Sequence, residues 1–236
     1  MGNLTVDKIL FREPFETQQL LPSEILLEGD LTQDGALGSE TLIVFAHGAG
    51  ANMLHPFMTD MAQGLAHEGM AVARFNFPYM RANAFDGKRR PPDRAPKLVT
   101  DFNLHIAAIR ERLKPKRLVL MGKSMGGRMA AIVAEHSLVD GVICLGYPFV
   151  PPKGGEPRLE PIQACQAPLL VIQGERDKFG GKGEVESWLD QRLVKLAWLP
   201  DGDHSFVPRK SSGTTQAANL NQAISYSVKF IRGLDA

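Results

Sequence analysis

From residue 41 onward the sequence alternates short apolar runs with longer stretches of helical periodicity, and this rhythm narrows the folds open to the chain. The runs are Thr41–Ala46 (TLIVFA), Ala71–Phe77 (AVARFNF), Arg117–Met121 (RLVLM), Gly141–Leu145 (GVICL), Leu169–Ile172 (LLVI) and Val194–Leu199 (VKLAWL). Each has strand length and is bounded by Gly, Pro or charge. Runs that are apolar on both faces suit the centre of a parallel sheet, because helices cover both sides there. Between them, Leu98, Phe102, Ile106, Ile109 and Leu113 recur at helical spacing, as do Leu220, Ile224, Val228 and Ile231. Strand alternating with helix predicts βαβ units with right-handed crossovers. The expected fold class is therefore α/β: an open, mostly parallel sheet with helices on both faces.

Two stretches interrupt the rhythm. Pro78–Lys97 reads as a long polar connection, and Tyr147–Ala167, with five prolines, reads as mostly irregular. Alternation in Ser23–Glu28 suggests an antiparallel hairpin leading into the parallel sheet. With 236 residues and no repeat, low-complexity tract or linker-like shift in composition, a single domain over 1–236 is expected.

Composition removes several classes of function. The 27 Lys+Arg against 26 Asp+Glu give a formal charge of +1, so no nucleic acid or anionic membrane is expected as a partner. No apolar stretch approaches the ~18 residues of a membrane span, and the first residues, MGNLTVDK, show no apolar signal core. Gly2 lacks the Ser or Thr of a myristoylation signal, since Val6 stands there. Cys144 and Cys165 form no metal or redox spacing, and Cys144 sits in an apolar run as a reduced, buried thiol would. A cytoplasmic location follows as the expectation.

The chemistry concentrates at Leu118–Gly127 (LVLMGKSMGG), which is a strand, then Gly-x-Ser-x-Gly, then the helical pattern of Met129–Glu135. A serine on a sharp strand-to-helix turn is held strained with its hydroxyl exposed, and glycines on either side let strand and helix pass closely. The phosphate-loop alternative fails, because the Gly it requires five residues before Gly122 is Arg117. Further on, Leu169–Asp177 (LLVIQGERD) delivers an acid beyond a strand, and Asp201–Phe206 (DGDHSF) places a histidine after the last one. The order Ser124, Asp177, His204 is the one a Ser-acid-His hydrolase sheet requires. Glu175 and Asp203 are the rival acids. The small residues of Phe45–Ala51 (FAHGAGA) follow the first of these strands. A dinucleotide loop is excluded there, because Met53 stands where its third Gly belongs. The amides of Met125 and Ala49 are the expected oxyanion donors, with His47 orienting the loop.

These motifs resemble the α/β-hydrolase superfamily from about residue 41 to the C-terminus, and within it the small, lid-less bacterial hydrolases of dienelactone-hydrolase type. HGAGA, FNFPYM followed by RRPPD, GKSMGG and DGDHSF are similar to a family related to the hydrolase-like domain of an animal chromatin-complex subunit. The resemblance implies Ser124 as nucleophile, Asp177 as acid and His204 as base. Ser124 replaces the cysteine of dienelactone hydrolases, so their substrate does not carry over.

The expected function is hydrolysis of an ester, thioester or related acyl bond of a small-molecule substrate, with no cofactor and no metal required. A peptidase, an acyltransferase or a non-catalytic binding protein on the same fold are the alternatives. Tyr147–Ala167 is too short for a cap domain, which suits small or extended substrates. Candidate substrate contacts are Tyr79, Arg81, Tyr147 and Phe206. Arg81, Lys88, Arg89, Arg90, Arg94 and Lys97 against Asp86 and Asp93 give a local surplus of +4, a candidate anion-binding rim. His55, His67, His105 and His136 read as ordinary surface or helix residues.

Overall fold

Strand and helix alternate in the computed structural model as the periodicity requires. The structure describes residues 5–11, 23–29, 37–190 and 194–235. The chain divides into two compact units, Met1–Leu118 and Val119–Ala236.

The first unit orders its strands β1 (Thr5–Phe11), β2 (Ser23–Gly29), β4 (Ala71–Phe75), β3 (Thr41–Ala46). β1 pairs antiparallel with β2, and β2 antiparallel with β4, in the register Ile25↔Phe75 to Glu28↔Val72. β3 and β4 are parallel, Leu42 opposite Ala71. The expected antiparallel entry is therefore present. β3 and β4 are buried along their whole length, as continuous apolar runs demand. Helix α1 (Pro56–His67) connects them and packs on β2 and β4. It starts where the His55 imidazole accepts from the Phe57 amide at 3.2 Å, with Pro56 in its first turn.

The stretch Pro78–Lys97, expected as a connection, instead holds α2 (Pro78–Asp86) and the start of α3 (Ala95–Leu113). Local chemistry explains both ends of α2. Pro78 sits at its first position after an extended Phe77, and Gly87 closes it in the left-handed region at φ 71°. Its only buried residues are Pro78, Tyr79 and Arg81, so it carries no apolar stripe to read. On α3, by contrast, Leu98, Phe102, Ile106, Ile109 and Leu113 are all buried, as their spacing predicts.

The second unit is wholly parallel in the order β5 (Arg117–Lys123), β6 (Gly141–Leu145), β7 (Leu169–Gly174), β8 (Lys195–Leu199). Its core includes Leu120, Met121, Ile143, Leu145 and Ile172, all fully buried and each contributing about 1.5–3 kcal/mol by leaving water. Helix α4 (Met125–Val133) packs on β6, and α7 (Gln216–Arg232) packs on β7 and β8. Short helices α5 (Glu160–Ala164) and α6 (Lys182–Trp188) flank β7 in sequence. Tyr147–Ala167 is irregular apart from α5. Among the described residues no helix is long and apolar enough to cross a membrane.

Candidate active site

Ser124 occupies the turn between β5 and α4 at φ 52° and ψ −113°, a conformation that non-glycine residues avoid. The turn is tight enough that a Cβ at Gly122 would stand 2.1 Å from the Gly126 carbonyl carbon. Gly122 and Gly127 are therefore the steric condition for this turn. Met125 is the first residue of α4, so its amide has no partner within the helix and lies beside the serine.

His204 reaches this serine from the loop after β8. Its Nε2 lies 2.8 Å from Ser124 Oγ, and its Nδ1 lies 2.7 Å from Asp177 Oδ2. The carboxylate only accepts, so Nδ1 carries the proton and Nε2 is left to accept from the serine hydroxyl. Burial, with help from the nearby Lys123 and Lys178 cations, draws His204 below the usual histidine range, against the opposing pull of Asp177. The imidazole is thus neutral at pH 7. Phe179 stands edge-on to its ring at 4.5 Å.

Asp177 is buried beyond the end of β7, and its position is fixed by donors rather than by exposure to water. Its Oδ1 accepts from the Phe179 amide at 2.9 Å, while Oδ2 accepts from Gln173 Nε2 at 3.0 Å as well as from His204. The rival acids are engaged elsewhere. Glu175 accepts from the Asp201 amide and from Lys182, and Asp203 Oδ1 caps the amides of Ser205 and Val207. The histidine loop closes tightly on β7, because a Cβ at Gly174 would stand 2.4 Å from the Gly202 carbonyl oxygen.

Three side chains that the sequence reading passed over hold this arrangement. Lys123, the last residue of β5, is half-buried and donates to the His204 carbonyl at 2.5 Å, with its ammonium 5.5 Å from the Phe206 ring centre. Burial lowers it to about 8 despite the attraction of Asp177 and Asp203. Gln173 is fully buried in β7, within hydrogen-bonding reach of Asp177, the Tyr147 carbonyl and the Gly180 carbonyl. Asn219 on α7 donates to the carbonyls of Phe206 and Pro200, fixing the loop that bears His204. A polar residue ending an otherwise apolar central strand was the available signal for Lys123 and Gln173.

Ala49 lies exposed in the loop after β3. That loop is held from within the first unit. His47 Nε2 accepts from the Phe77 amide at 3.0 Å, so its Nδ1 donates to the Gly48 carbonyl at 2.8 Å. Burial lowers His47 to about 4, keeping it neutral in this orienting role. The Tyr79 hydroxyl reaches the Gly48 and Ala49 carbonyls at 3.3 and 3.1 Å.

The structure buries all four expected substrate contacts. Tyr79 is buried and buttresses the Ala49 loop. Arg81 is buried, forking onto Asp101 at 3.1 and 2.7 Å and onto the Asn76 carbonyl. Tyr147 is buried, its hydroxyl donating to the Arg158 carbonyl at 3.0 Å. Phe206 is buried in a left-handed turn at φ 66°. Each satisfies protein groups or packs against them instead of facing solvent. The candidate anion-binding rim is reduced, since Arg81 pairs with Asp101, Arg90 with Asp86 and Lys97 with Asp93, leaving the cations Lys88, Arg89 and Arg94 as its surplus. His105 is a helix residue of α3, buried and stacked on Phe75 at 4.3 Å.

Known proteins share this fold. A lid-less α/β serine hydrolase of Xanthomonas campestris superposes with a TM-score of 0.68 at 20% identity, covering 98% of this chain and 96% of its own. A dienelactone hydrolase of Anabaena variabilis gives 0.70 at 16% identity, covering 98% of each chain. Esterase EstD of Thermotoga maritima is 25% identical over 164 residues, which is 61% of this chain and 39% of EstD. The chain thus spans about two-fifths of the length of that curated relative. A family model for an alpha/beta hydrolase domain matches residues 39–232, running through both units. The strand order, the strained serine turn and this match together establish that the chain belongs to the α/β-hydrolase domain family.

Proposed function

We propose that the protein is a serine esterase that works through an acyl-enzyme. The observation that carries this reading is the continuous hydrogen-bonded relay Ser124–His204–Asp177, with links of 2.8 and 2.7 Å. His204 Nε2 takes the Ser124 proton as Oγ attacks the acyl carbonyl, and Asp177 holds the tautomer and stabilises the imidazolium that forms. The Met125 amide, at the positive end of α4, donates to the developing oxyanion. His204 then returns the proton to the departing alcohol. It next deprotonates the water that releases the acyl group and regenerates Ser124.

The strain at Ser124 supports catalysis over a scaffold role, because a φ of 52° is a cost a merely structural serine has no reason to bear. The short segment between β6 and β7 supports small or extended acyl substrates. The test is labelling with a fluorophosphonate probe alongside turnover of 4-nitrophenyl butyrate. Wild-type protein is expected to label and turn over, and Ser124→Ala to do neither. Failure of the wild type to label and to turn over would return the chain to a binding role.

A further inference from the structure

Strand β7 is apolar from Leu169 to Ile172 and ends on Gln173 and Gly174, buried along its whole length. Gln173 is fully buried, and its Oε1 finds no hydrogen-bond partner. A buried acceptor left dry costs free energy that an apolar side chain here would avoid. The other end of the amide accounts for that cost. Nε2 faces three acceptors: Asp177 Oδ2 at 3.0 Å, the Gly180 carbonyl at 3.1 Å and the Tyr147 carbonyl at 3.2 Å. Reversing the amide would set Oε1 against all three, so Gln173 is locked as a donor.

These contacts bracket the turn that carries the acid. The Gly180 amide donates to the Asp177 carbonyl at 3.1 Å, closing the turn from Asp177 to Gly180. The turn is pressed against its surroundings, because a Cβ at Gly180 would stand 2.8 Å from Phe149 Cδ2. Inside it the Phe179 amide holds Oδ1 at 2.9 Å, which leaves Oδ2 shared between Gln173 and His204 Nδ1. Two donors on one carboxylate oxygen compete for its charge, so what Gln173 draws is lost to a proton on His204. Lys123 at the end of β5 and Lys178 in the Asp177 turn also act on His204, and both oppose its protonation. Asp203, its neighbour in the chain, is engaged by the Ser205 and Val207 amides.

We propose that Gln173 is a positioning residue of the reaction: its amide fixes the Asp177 carboxylate and takes up part of its charge, so that His204 meets Ser124 as the free base. The proposal rests on the esterase reading above. Sealed from solvent, Gln173 meets no substrate and acts through Asp177 alone. It therefore bears on kcat and on the proton affinity of His204, and not on KM.

The test follows kcat and KM for 4-nitrophenyl butyrate against pH in wild type, Gln173→Met and Gln163→Met, with histidine NMR reading the His204 titration directly. Gln173→Met keeps the length of the side chain and removes the donor. It should lower kcat about tenfold with KM unchanged, the weight of one hydrogen bond to a charged group. Without the competing donor Asp177 holds the imidazolium harder, so the His204 midpoint and the acidic limb of kcat/KM should both rise by about one pH unit. Gln163→Met, at an exposed glutamine of α5, should match wild type. A kcat that falls while the His204 midpoint stays in place would overturn the proposal and leave Gln173 a packing residue. Should Gln173→Met not fold, the wild type itself decides. The side-chain amide protons of Gln173 should resist exchange, and their chemical shift should follow the His204 titration. Rapid exchange, or a shift indifferent to that titration, would equally overturn the proposal. Because the midpoint is read without turnover, the two readings fail separately. A raised midpoint in Gln173→Met, in a protein that neither labels with fluorophosphonate nor turns over, would uphold the hold of Gln173 on the Asp177–His204 pair and strike the esterase reading. A wild type that labels and turns over, with the midpoint unmoved in the variant, would do the reverse.

Discussion

The Lys123 ammonium donates a 2.5 Å hydrogen bond to the backbone carbonyl of His204, so the residue preceding Ser124 grips the residue whose imidazole faces the serine hydroxyl. The cation also opposes protonation of the imidazole. Lys123→Met should therefore raise the pKa of His204, leaving it protonated to higher pH. The acidic limb of the kcat/KM profile should move toward higher pH and the plateau should fall. An acidic limb that stays in place would reduce Lys123 to a packing role.

The same lysine should cost the fold stability. Its pKa falls from 10.5 to about 8 in the folded protein, so the unfolded chain binds more protons between those values. Stability contributed by this group therefore rises with pH from about 8 to 10.5, and below 8 the penalty is fully present at about 3 kcal/mol. Lys123→Met is expected to unfold at higher urea concentration than wild type at pH 7, while turning over more slowly. The stability gap between the two should narrow as pH approaches 10. A gap that widens would reverse the sign argued here.

Ser124→Ala should abolish ester hydrolysis with the circular dichroism spectrum intact, a loss on the order of 10⁶ in turnover by analogy with other serine hydrolases. Removing a side chain that occupies a strained turn does not disturb the core. Substantial residual turnover by the folded variant would remove the serine from the mechanism.

Asp177→Asn should leave Ser124 open to slow labelling while lowering turnover about 10⁴-fold, because the amide favours the wrong imidazole tautomer. Glu175→Gln and Asp203→Asn should fall far short of that loss, since their carboxylates serve backbone amides and Lys182. Equal damage at either position would move the acid away from Asp177.

Arg81→Met should act on stability and not on substrate choice. Its fork with Asp101 is buried on both sides, so removing one partner strands the other and should cost about 3–5 kcal/mol in a urea titration. The folded fraction should keep the wild-type ratio of rates for anionic and neutral esters. A selective loss of the anionic ester would restore Arg81 as a substrate contact.

What the sequence determined by itself lies in local pattern. Apolar runs such as TLIVFA and GVICL are legible as buried strands because sheet burial acts on every residue of the run. The Ser124 turn is legible because Gly122 and Gly127 are demanded by a steric approach within a few residues. The chain order Ser124, Asp177, His204 follows from where strands end. Other features were settled only by tertiary structure, because they depend on groups brought together from distant parts of the chain. Asp177 stands apart from Glu175 because Gln173 and the Phe179 amide aim its carboxylate at a histidine 27 residues away. Arg81 reads as a surface cation until Asp101 on α3 closes over it, and α2 has no apolar stripe to announce it. The positions of the carboxylates decide such pairings, since charge is matched in space and not along the chain.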